Sequence, residues 1–571
     1  MRRKAAKRRQ PQARSRRRAV VLIAVLIAVT LLSLAAYQYS DLMTAEYRAA
    51  DNAHRAAQAR ACAESGILHT AAALANPDYV SNQLRSNIWN NDVFSGYVIP
   101  ADENIGIKGY FTLIAPPDLT GGAASQGNRY GVMDEGGKLN LNVVMQLDPT
   151  GNRLYNALMS PNLQALGMTS AIANAIIDWM DKDSTPRDGG AEEDYYMSLN
   201  PPYHCKNGAL ESLEELLLVK GVTWDLLFGR DRNRNGVIDP EEEGLNSAAG
   251  DFGWAQFFTV YSRESNNDAY GNPYYNLNDS DLQTLYTNLS SQIDDNFAKF
   301  VVLVRQNGDA TAQAQQAAQQ AAAQAAAAGA NSSTTNNASN NKTPATTTPT
   351  TGNRATTTPM TTTPSANNPA GVTGVAGDVS SVTLDFAKQA NNKLNGLWQL
   401  VTATVVIQSG QPGQPPIIYT SPLADPSNQR TILPKVFSLT TVTAGNEIPA
   451  RINVNTAPLE VLSTIPEFSD QDLTNIITAR PNLTDAGNAD PIFQTPAWLL
   501  TEAKLDPTLL QSLEPYITGK SQVYRVQSVG YLEEGGASAR IEAIIDTNGG
   551  RPRILMWRDL TPLGKGWSKP Q

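Results

Sequence analysis

The sequence predicts an α+β fold, in which one long N-terminal helix precedes a sheet of antiparallel strands. Residues 19–65 contain neither Gly nor Pro, the two residues that most often interrupt a helix. Near the C-terminus, segments 523–531, 539–545 and 553–557 are rich in β-forming residues, and the turns 534–536 and 548–550 separate them. A chain of 571 residues exceeds one ordinary core, so two or three folded units with linkers are expected.

The first element is a basic arm. Residues 1–18 hold ten Lys and Arg side chains and no acid. Because the whole chain carries −9 and this arm +10, the remainder carries −19. An acidic body does not attract the phosphates of nucleic acids, so we expect no nucleic-acid partner. The arm is instead interpreted as a cytoplasmic leader that sets membrane topology.

An apolar segment follows the arm. Residues 19–36 are uncharged and apolar apart from Thr30 and Ser33. As a helix, this run crosses most of a hydrocarbon layer about 30 Å thick. We therefore predict a transmembrane helix over residues 19–39, with the arm in the cytoplasm and the bulk of the chain on the other side of an inner membrane, in the periplasm. A cleavable signal peptide is the alternative, since Ser33 to Ala35 form a small-x-small site.

An amphipathic stem is predicted over residues 40–76. Leu42 begins a series of apolar positions at steps of three and four residues, and most of the others are alanines. The pattern indicates one continuous helix from residue 19 to about Asn76, just before Pro77. At about 1.5 Å per residue this helix is roughly 85 Å long.

A four-residue motif with two asparagines occurs three times, at residues 139–142, 275–278 and 452–455. Each copy follows β-forming residues and precedes an apolar-periodic helical segment, so it is predicted to be a structural strand-to-helix junction. Residues 452–480 also have the spacing of a DNA-binding helix-hairpin-helix. Their turn, residues 465–470, has no Gly and two acids, so the phosphate site of such hairpins is missing.

Residues 231–242 satisfy the twelve-residue pattern of an EF-type calcium loop. Oxygen-bearing side chains stand at positions 1, 3, 5, 9 and 12, and Gly236 stands at the tight turn. Hard oxygen ligands favour calcium over zinc. The predicted ligands of this structural ion are Asp231, Asn233, Asn235, the carbonyl of Val237, Asp239 and Glu242. A solvated polar loop is the alternative.

A second acidic group is a further candidate for an ion, although its spacing fits no strict template. Its members are Asp181, Asp183, Glu192, Glu193 and Asp194. Away from these acids, the three histidines, His54, His69 and His204, lie in no known catalytic motif. We therefore predict no enzymatic activity.

The sequence also predicts a linker, two strands and a helix cap, and it contains two cysteines. Residues 306–378 are rich in Ala, Gln, Thr and Pro and are predicted to form a disordered linker. Strands are expected at 105–115 and 397–408, and Ser212 with Glu215 predicts a helix capping box. The two cysteines, Cys62 and Cys205, leave a single disulfide open.

Several ordered segments resemble the minor pseudopilins of type II secretion systems, in the family of general secretion pathway protein K. The segments are 61–66 (ACAESG), 130–138 (YGVMDEGGK), 175–181 (AIIDWMD), 190–196 (GAEEDYY), 452–462 (INVNTAPLEVL) and 553–559 (RILMWRD). The resemblance implies a pilin-like fold. It divides the chain into the first part of a sheet at 95–142, an inserted helical domain with calcium at 143–305, and a second helix-hairpin unit with the C-terminal sheet at 379–571.

The same resemblance implies a function. Such proteins lie at the tip of the secretion pseudopilus and contact other minor pseudopilins and the inner-membrane secretion platform. A leader peptidase would cleave between Ala19 and Val20. The alternatives are a secreted or anchored extracytoplasmic scaffold or adhesin and, on the hairpin repeats, a DNA-uptake factor.

Overall fold

The computed structural model describes residues 13–99, 108–117, 128–331, 373–409, 413–481, 490–533 and 536–567, excepting the side chains of 13–19 and 321–331. Several predictions fall outside these residues. They are the basic leader up to residue 12, the start of the strand predicted at 105–115, residues 332–372 of the linker predicted at 306–378 and the first part of the turn at 534–536. The prediction of disorder is wrong over the first part of that linker, where Ala310–Asn331 is a helix.

One helix, Ala13–Leu74, forms the stem. It runs without a break for 62 residues, or about 93 Å, and confirms the predicted continuous helix. Most side chains between residues 20 and 58 are exposed, whereas Ala59 begins a buried face. The stem helix therefore projects from the folded head and packs on it only through its last quarter.

The head contains a six-stranded antiparallel sheet. Its strands are β1 (Tyr97–Ile99), β2 (Gly109–Ile114), β3 (Met133–Asp134), β4 (Val523–Leu532), β5 (Ser538–Asp546) and β6 (Arg553–Asp559). The order is β1-β2-β4-β5-β6, and β3 pairs with the start of β4 beside β2. The C-terminal meander is thus confirmed, together with the α+β fold class.

The stem helix packs on this sheet at close range. Ala59, Ala63 and Ile67 are fully buried at four-residue steps, so they share one helix face. The face crosses β4 at Gly530, where a Cβ atom would overlap the Ala59 carbonyl oxygen and the Ala63 backbone. Small residues on both elements let the two backbones touch.

A helical body is inserted between β3 and β4. Its hydrophobic core includes residues from both 139–304 and 379–517, among them the buried Trp254, Trp398 and Trp498. The division predicted from sequence is corrected in this respect. Residues 379–517 do not form a separate helix-hairpin unit beside the C-terminal sheet, because they share one core with residues 139–304.

The helices are mostly short. The α-helices after the stem are Pro77–Asn82, Leu141–Leu147, Asn152–Leu158, Pro161–Ala165, Ser170–Met180, Glu193–Met197, Trp224–Phe228, Leu282–Gln292, Asp295–Asn307, Ala310–Asn331, Gln399–Thr402, Pro426–Leu439, Leu459–Leu462, Asp470–Ala479, Trp498–Thr501 and Pro507–Leu513. The 3-10 helices are Asp92–Phe94, Leu213–Leu218, Trp254–Gln256, Val379–Ser381, Pro422–Ala424, Pro491–Gln494, Asn548–Gly550 and Thr561–Leu563.

Short strand pairs tie the body together. The parallel pairs are Leu139–Asn140 with Phe258–Thr259, Tyr275–Asn276 with Thr440–Thr441, and Ile452–Asn453 with Ile517–Thr518. Glu264–Ser265 pairs with Glu447–Ile448 in antiparallel fashion, and Val375–Ala376, Ile417–Thr420 and Thr404–Ile407 form a small mixed sheet. The first strand of each of the three two-stranded parallel pairs is the first half of one copy of the two-asparagine motif.

The repeated motif is confirmed as a strand-to-helix junction with a structural role. In all three copies, the side chain of the last asparagine forms hydrogen bonds with the backbone of distant segments. Asn142 exchanges hydrogen bonds with the backbone of Leu210, and Asn278 donates to the carbonyls of Leu394 and Val442. Asn455 donates to two carbonyls and accepts a hydrogen bond from the indole of Trp498. These bonds satisfy buried polar groups.

Two local predictions were wrong in detail, and the structure contains no disulfide where the sequence left one open. Residues 213–218 form a 3-10 helix without a side-chain cap from Ser212, because Lys206 and the Glu211 amide bind the Glu215 carboxylate. The strand predicted at 397–408 is confined to Thr404–Ile407 and follows a short helix. Cys62 and Cys205 are both free thiols, so the possible disulfide is not formed.

A buried network of charges joins the body to one face of the sheet. On the sheet, Arg525 binds the Glu135 carboxylate at 2.7 Å and Glu542 at 3.2 Å. From the body, Glu214 binds Arg558 of β6 and, at 2.9 Å, Arg234. Ion pairs therefore join the sheet to the body.

Candidate metal-binding sites

The predicted calcium loop lies between the helix Trp224–Phe228 and the 3-10 helix Trp254–Gln256. Gly236 has a φ of +78°, the left-handed conformation that the sixth position of an EF-type loop requires. The guanidinium of Arg234 lies 4.4 Å from the ring centre of Phe228 and so fixes the loop on the preceding helix.

Two buried carboxylates close the loop. The oxygens of Asp231 accept hydrogen bonds from the amides of Asn235 and Gly236, at 3.1 and 2.7 Å. Those of Glu242 accept bonds from the amides of Arg232, Asn233 and Asp239. Positions 1 and 12 of the pattern thus meet the same short stretch of backbone, although ten residues of sequence lie between them.

The remaining predicted ligands surround Asp239. The side-chain amides of Asn233 and Asn235 donate to its carboxylate at 2.6 and 3.1 Å. Val237 lines the same surface pocket as Asn233, Asn235, Asp239 and Glu242, opposite the C-terminal segment 562–567. The structure therefore brings five of the predicted residues to one pocket, whereas Asp231 lines a different pocket.

This donor set fits a calcium ion. The candidate ligands are three carboxylates, two amide oxygens and one backbone carbonyl, all of them hard oxygen donors. Burial, and then the neighbouring Glu242, raise the pKa of Asp231 to about 6. Carboxylates crowded in this way are stabilised by a nearby cation.

Arg540 of β5 also reaches the loop, and the sequence pattern gave no sign of it. Its side chain is fully buried, and its guanidinium donates a hydrogen bond to the carbonyl of Asn233. Strand β5 lies about 300 residues further along the chain, so only the fold brings the two together. Within the described residues, Asp231, Glu542 and Asp239 supply the negative charge that attracts this guanidinium.

The second acidic group is only partly assembled. Asp181, Asp183 and Glu192 each place a carboxylate oxygen within 4.8 Å of the others. Asp181 ends the helix Ser170–Met180 and Glu192 precedes the helix Glu193–Met197. Burial and the repulsion between these acids raise the pKa of Asp181 to about 6 and that of Glu192 to about 7.

The other two predicted members point elsewhere. Glu193 binds the ring of His204 at 2.5 Å and the amide of Cys205 at 2.9 Å, and Asp194 is exposed. Sequence reasoning missed the buried Asp178, which accepts hydrogen bonds from the amides of Arg187 and Ala191 beside the cluster. Only a helical register over 175–181 signals that Asp178 and Asp181 share a face.

The buried oxygens of the cluster are poorly satisfied. Asp181 Oδ1 and both carboxylate oxygens of Glu192 receive no hydrogen bond of normal geometry from any residue that the structure describes. The thiol of Cys205 lies beside Glu192. Buried carboxylates without donors are costly, and a bound cation is one way to offset that cost.

The predicted leader-peptidase site lies within the stem helix. Val20 is exposed, and both Ala19 and Val20 belong to the helix Ala13–Leu74. From Val20 onward, this helix is long and apolar enough to cross a membrane. One apolar helix near the N-terminus fits a single-pass membrane anchor.

Part of the chain is similar to a known protein family. Residues 137–227 match the family model described as "Type II secretion system (T2SS), protein K". We call this region, which is similar to that family, the protein K domain. The resemblance that the sequence predicts is thereby confirmed, and the region includes the first two-asparagine junction and the acidic cluster.

Curated relatives agree with the protein K domain. The chain is 34% identical over 91 residues to the putative type II secretion system protein K of Escherichia coli K12, covering 15% of this chain and 28% of that protein. It is 39% identical over 70 residues to protein K of Klebsiella pneumoniae, covering 12% of this chain and 20% of that protein. These alignments thus span at most 28% of the relative's length.

A solved structure is also similar. The crystal structure of a complex of GspK, GspI and GspJ from the type 2 secretion system of enterotoxigenic Escherichia coli aligns over 90% of this chain and 99% of that chain. The identity is 10% and the TM-score is 0.30. The assignment of the protein K domain therefore comes from the sequence matches.

Proposed function

We propose that this chain is a minor pseudopilin at the tip of a type II secretion pseudopilus, where it starts or caps the filament that exports proteins across the outer membrane. The stem helix carries the proposal. It is apolar over residues 19–36, extends unpacked to residue 58 and ends packed on the six-stranded sheet. An unpacked helix of this kind is suited to align beside the helices of other subunits.

The proposed arrangement places the arm in the cytoplasm and the head in the periplasm, in line with the positive-inside rule. The partners are other minor pseudopilins and the inner-membrane platform, and the role is structural rather than enzymatic. The similarity of residues 137–227 to the protein K family of type II secretion systems supports this assignment. No role in binding nucleic acid is proposed for the hairpin at 452–480.

The mature N-terminus tests the proposal. Mass spectrometry of the chain purified from membranes should show Val20 as the first residue, because a pseudopilin loses its leader before assembly. A first residue at Ala36 would indicate a released scaffold or adhesin, and Met1 would indicate an uncleaved anchor. Cross-linking in cells should also join the chain to other minor pseudopilins and to the platform.

Calcium is proposed as a structural ion in the loop 231–242. There Asp231, Asn233, Asn235, Asp239 and Glu242 would supply side-chain oxygens and Val237 its carbonyl. The cluster Asp181, Asp183 and Glu192 is proposed to hold a second ion. When bound, each ion neutralises buried carboxylates and so favours the folded head.

Calcium titration of the full chain in detergent tests both sites. We expect calcium to raise the unfolding temperature and calorimetry to give two ions per chain. Glu242→Gln should remove one of them, whereas Glu241→Gln, which changes the exposed neighbour, should remove none. Asp183→Asn with Glu192→Gln should remove the other. A chain that binds no calcium in any of these measurements would exclude both sites.

A further inference from the structure

We propose that Arg540 of β5 is a positioning residue that competes with calcium for the loop 231–242 and so lowers its affinity for the ion. The inference rests on the calcium site proposed above. It assigns to a residue of the sheet a role in setting how readily the helical body binds its ion.

Arg540 is buried against the loop, and in the part of the chain that the structure describes most of its hydrogen-bond donors have no acceptor. Its side chain is 0% exposed, yet Nε and Nη1 have no hydrogen-bond acceptor among the described residues. Only Nη2 is satisfied, by the carbonyl of Asn233 at position 3 of the loop. A guanidinium remains charged in proteins, so a buried positive charge lies against the loop with most of its donors unused.

Three acidic side chains attract the guanidinium of Arg540. Asp231 attracts it most strongly, followed by Glu542 and Asp239. Asp231 and Asp239 are also the candidate ligands at positions 1 and 9. Glu542 also pairs with Arg525, Arg558 and Arg234. Two of the three acids that attract this guanidinium are therefore loop carboxylates.

A contact with the C-terminal segment fixes the guanidinium in place. Gly566 lies so close to Arg540 that a Cβ atom there would overlap Nη1. The Gly566 carbonyl in turn accepts a hydrogen bond at 3.0 Å from the side-chain amide of Asn235, at position 5 of the loop. The sheet, the loop and the C-terminal segment thus meet at one point, and Arg540 has little space into which to withdraw.

Competition follows from this geometry. A divalent cation bound by Asp231 and Asp239 takes negative charge that now helps to balance Arg540, and the two cations repel each other. This coupling is reciprocal. The free energy by which Arg540 weakens calcium binding equals the free energy by which bound calcium weakens the contact of Arg540 with the loop. The occupancy of the loop is thereby coupled to its attachment to the sheet.

Neutral substitutions at position 540 test the inference. Arg540→Gln keeps an amide that can donate to the Asn233 carbonyl, and Arg540→Met fills the space with apolar atoms. We expect calorimetry on the full chain in detergent to show calcium bound about tenfold or more tightly in either variant than in the natural protein. Arg540→Lys, which keeps the charge, should leave the affinity near the natural value.

Arg553→Gln is the matched control. Arg553 lies on the neighbouring strand β6 and pairs with Asp546, so its loss removes one positive charge from the sheet without touching the loop. Its calcium affinity should be unchanged. If neither neutral variant at 540 folds without calcium, the inference requires that calcium restore the fold at lower concentrations than stabilise the natural protein.

The outcomes separate this inference from the calcium proposal. No calcium binding by the natural protein, with the head folded, would overturn the calcium site itself. Binding that is equal or weaker in folded Arg540→Gln and Arg540→Met would overturn only the competition. Tighter binding in Arg553→Gln as well would show a general charge effect and would equally overturn a role specific to Arg540.

Discussion

At the scale of single residues, function depends on contacts that tolerate little change. The stem helix meets β4 backbone to backbone at Gly530, and the sheet meets the helical body through buried ions around Glu135. Both contacts are made by residues far apart in the chain. Each can be tested by a substitution that changes one group.

Gly530→Ala should destabilise the head. The added Cβ would overlap the Ala59 carbonyl and the Ala63 backbone, neither of which can move without shifting the stem helix. Overpacking of this kind costs about 1–3 kcal/mol, and Gly530→Val should cost more. Urea unfolding measures the loss, and hydrogen exchange should rise in residues 59–74.

Gly208→Ala is the control for this substitution. A Cβ at Gly208 meets its nearest neighbour, the Lys206 carbonyl, at an ordinary 3.7 Å. Its free energy of unfolding should match that of the natural protein. Equal stability of Gly530→Ala and Gly208→Ala would mean that the stem does not approach the sheet as closely as the structure shows.

Acid should weaken the attachment of the body to the sheet through Glu135. Burial alone would raise its pKa, but Arg525 and Lys138 outweigh burial and lower the pKa from 4.5 to about 2. The ionised form is thus favoured in the folded state. The stability it provides is complete above about pH 4.5 and is lost as the pH falls toward 2.

Glu135→Gln should therefore lower the free energy of unfolding at neutral pH by about 3 kcal/mol, because Arg525 and Lys138 lose their shared carboxylate. The variant should also depend less steeply on pH between 4.5 and 2. Denaturant unfolding at several pH values measures both effects. Glu467→Gln, at an exposed position, serves as control, and an identical pH profile for all three proteins would contradict the assignment.

Among single residues, the sequence predicts local patterns better than distant partners. The ligand spacing of 231–242 was readable because all its members lie within twelve positions. The roles of Arg540 and Glu135 could not be predicted from the sequence, because Asn233 and Arg525, which they contact, lie hundreds of residues away. In addition, the sequence alone does not distinguish a buried charged residue from an exposed one. Asp178 was missed for a different reason: it stands in an apolar helix among the residues expected to pack.

At the scale of elements, the stem helix separates into two parts with different roles. Residues 59–74 belong to the head, and residues 20–58 extend beyond it. The predicted continuity held because nothing in residues 19–65 interrupts a helix. The prediction of a capping box at Ser212 was wrong. A capping pattern indicates where a helix starts, but it does not exclude a 3-10 helix. Here Lys206 binds the Glu215 carboxylate, which therefore does not take part in a cap.

A proline in the exposed part of the stem should separate anchoring from folding. Ala49 is exposed and lies ten residues before the packed face. Ala49→Pro removes a helical hydrogen bond and costs about 3 kcal/mol of local helix stability, so it should bend the stem. The unfolding temperature of the head should stay unchanged, whereas export should fall sharply in cells that rely on this chain.

Ala49→Gln is the matched control, since glutamine is a good helix former. It should preserve both export and stability. Normal export by Ala49→Pro, at membrane levels equal to those of the control, would show that an unbroken stem is not needed and would remove the main support for the filament role.

At the scale of the whole molecule, the two halves of the chain depend on each other. The body core combines residues 139–304 with 379–517, and the sheet pairs β2 from the first half with β4 from the second. Sequence division into separate units missed this, because a composition change at 306–378 looks like a domain boundary. A shift in composition marks a connection in the chain and does not show which cores it connects.

A cut between the halves should therefore leave the protein assembled. A sequence-specific protease site inserted after Gly352 allows cleavage of the folded chain in detergent. Because the halves share one hydrophobic core and one sheet, the fragments should copurify through a gel filtration column and unfold together at nearly the temperature of the uncut protein. Moderate urea should then release both at once. Two fragments that separate in native buffer, or that melt in two distinct transitions, would instead support independent domains joined by a tether, and the continuity from stem to sheet to body would no longer explain how the head is held rigid.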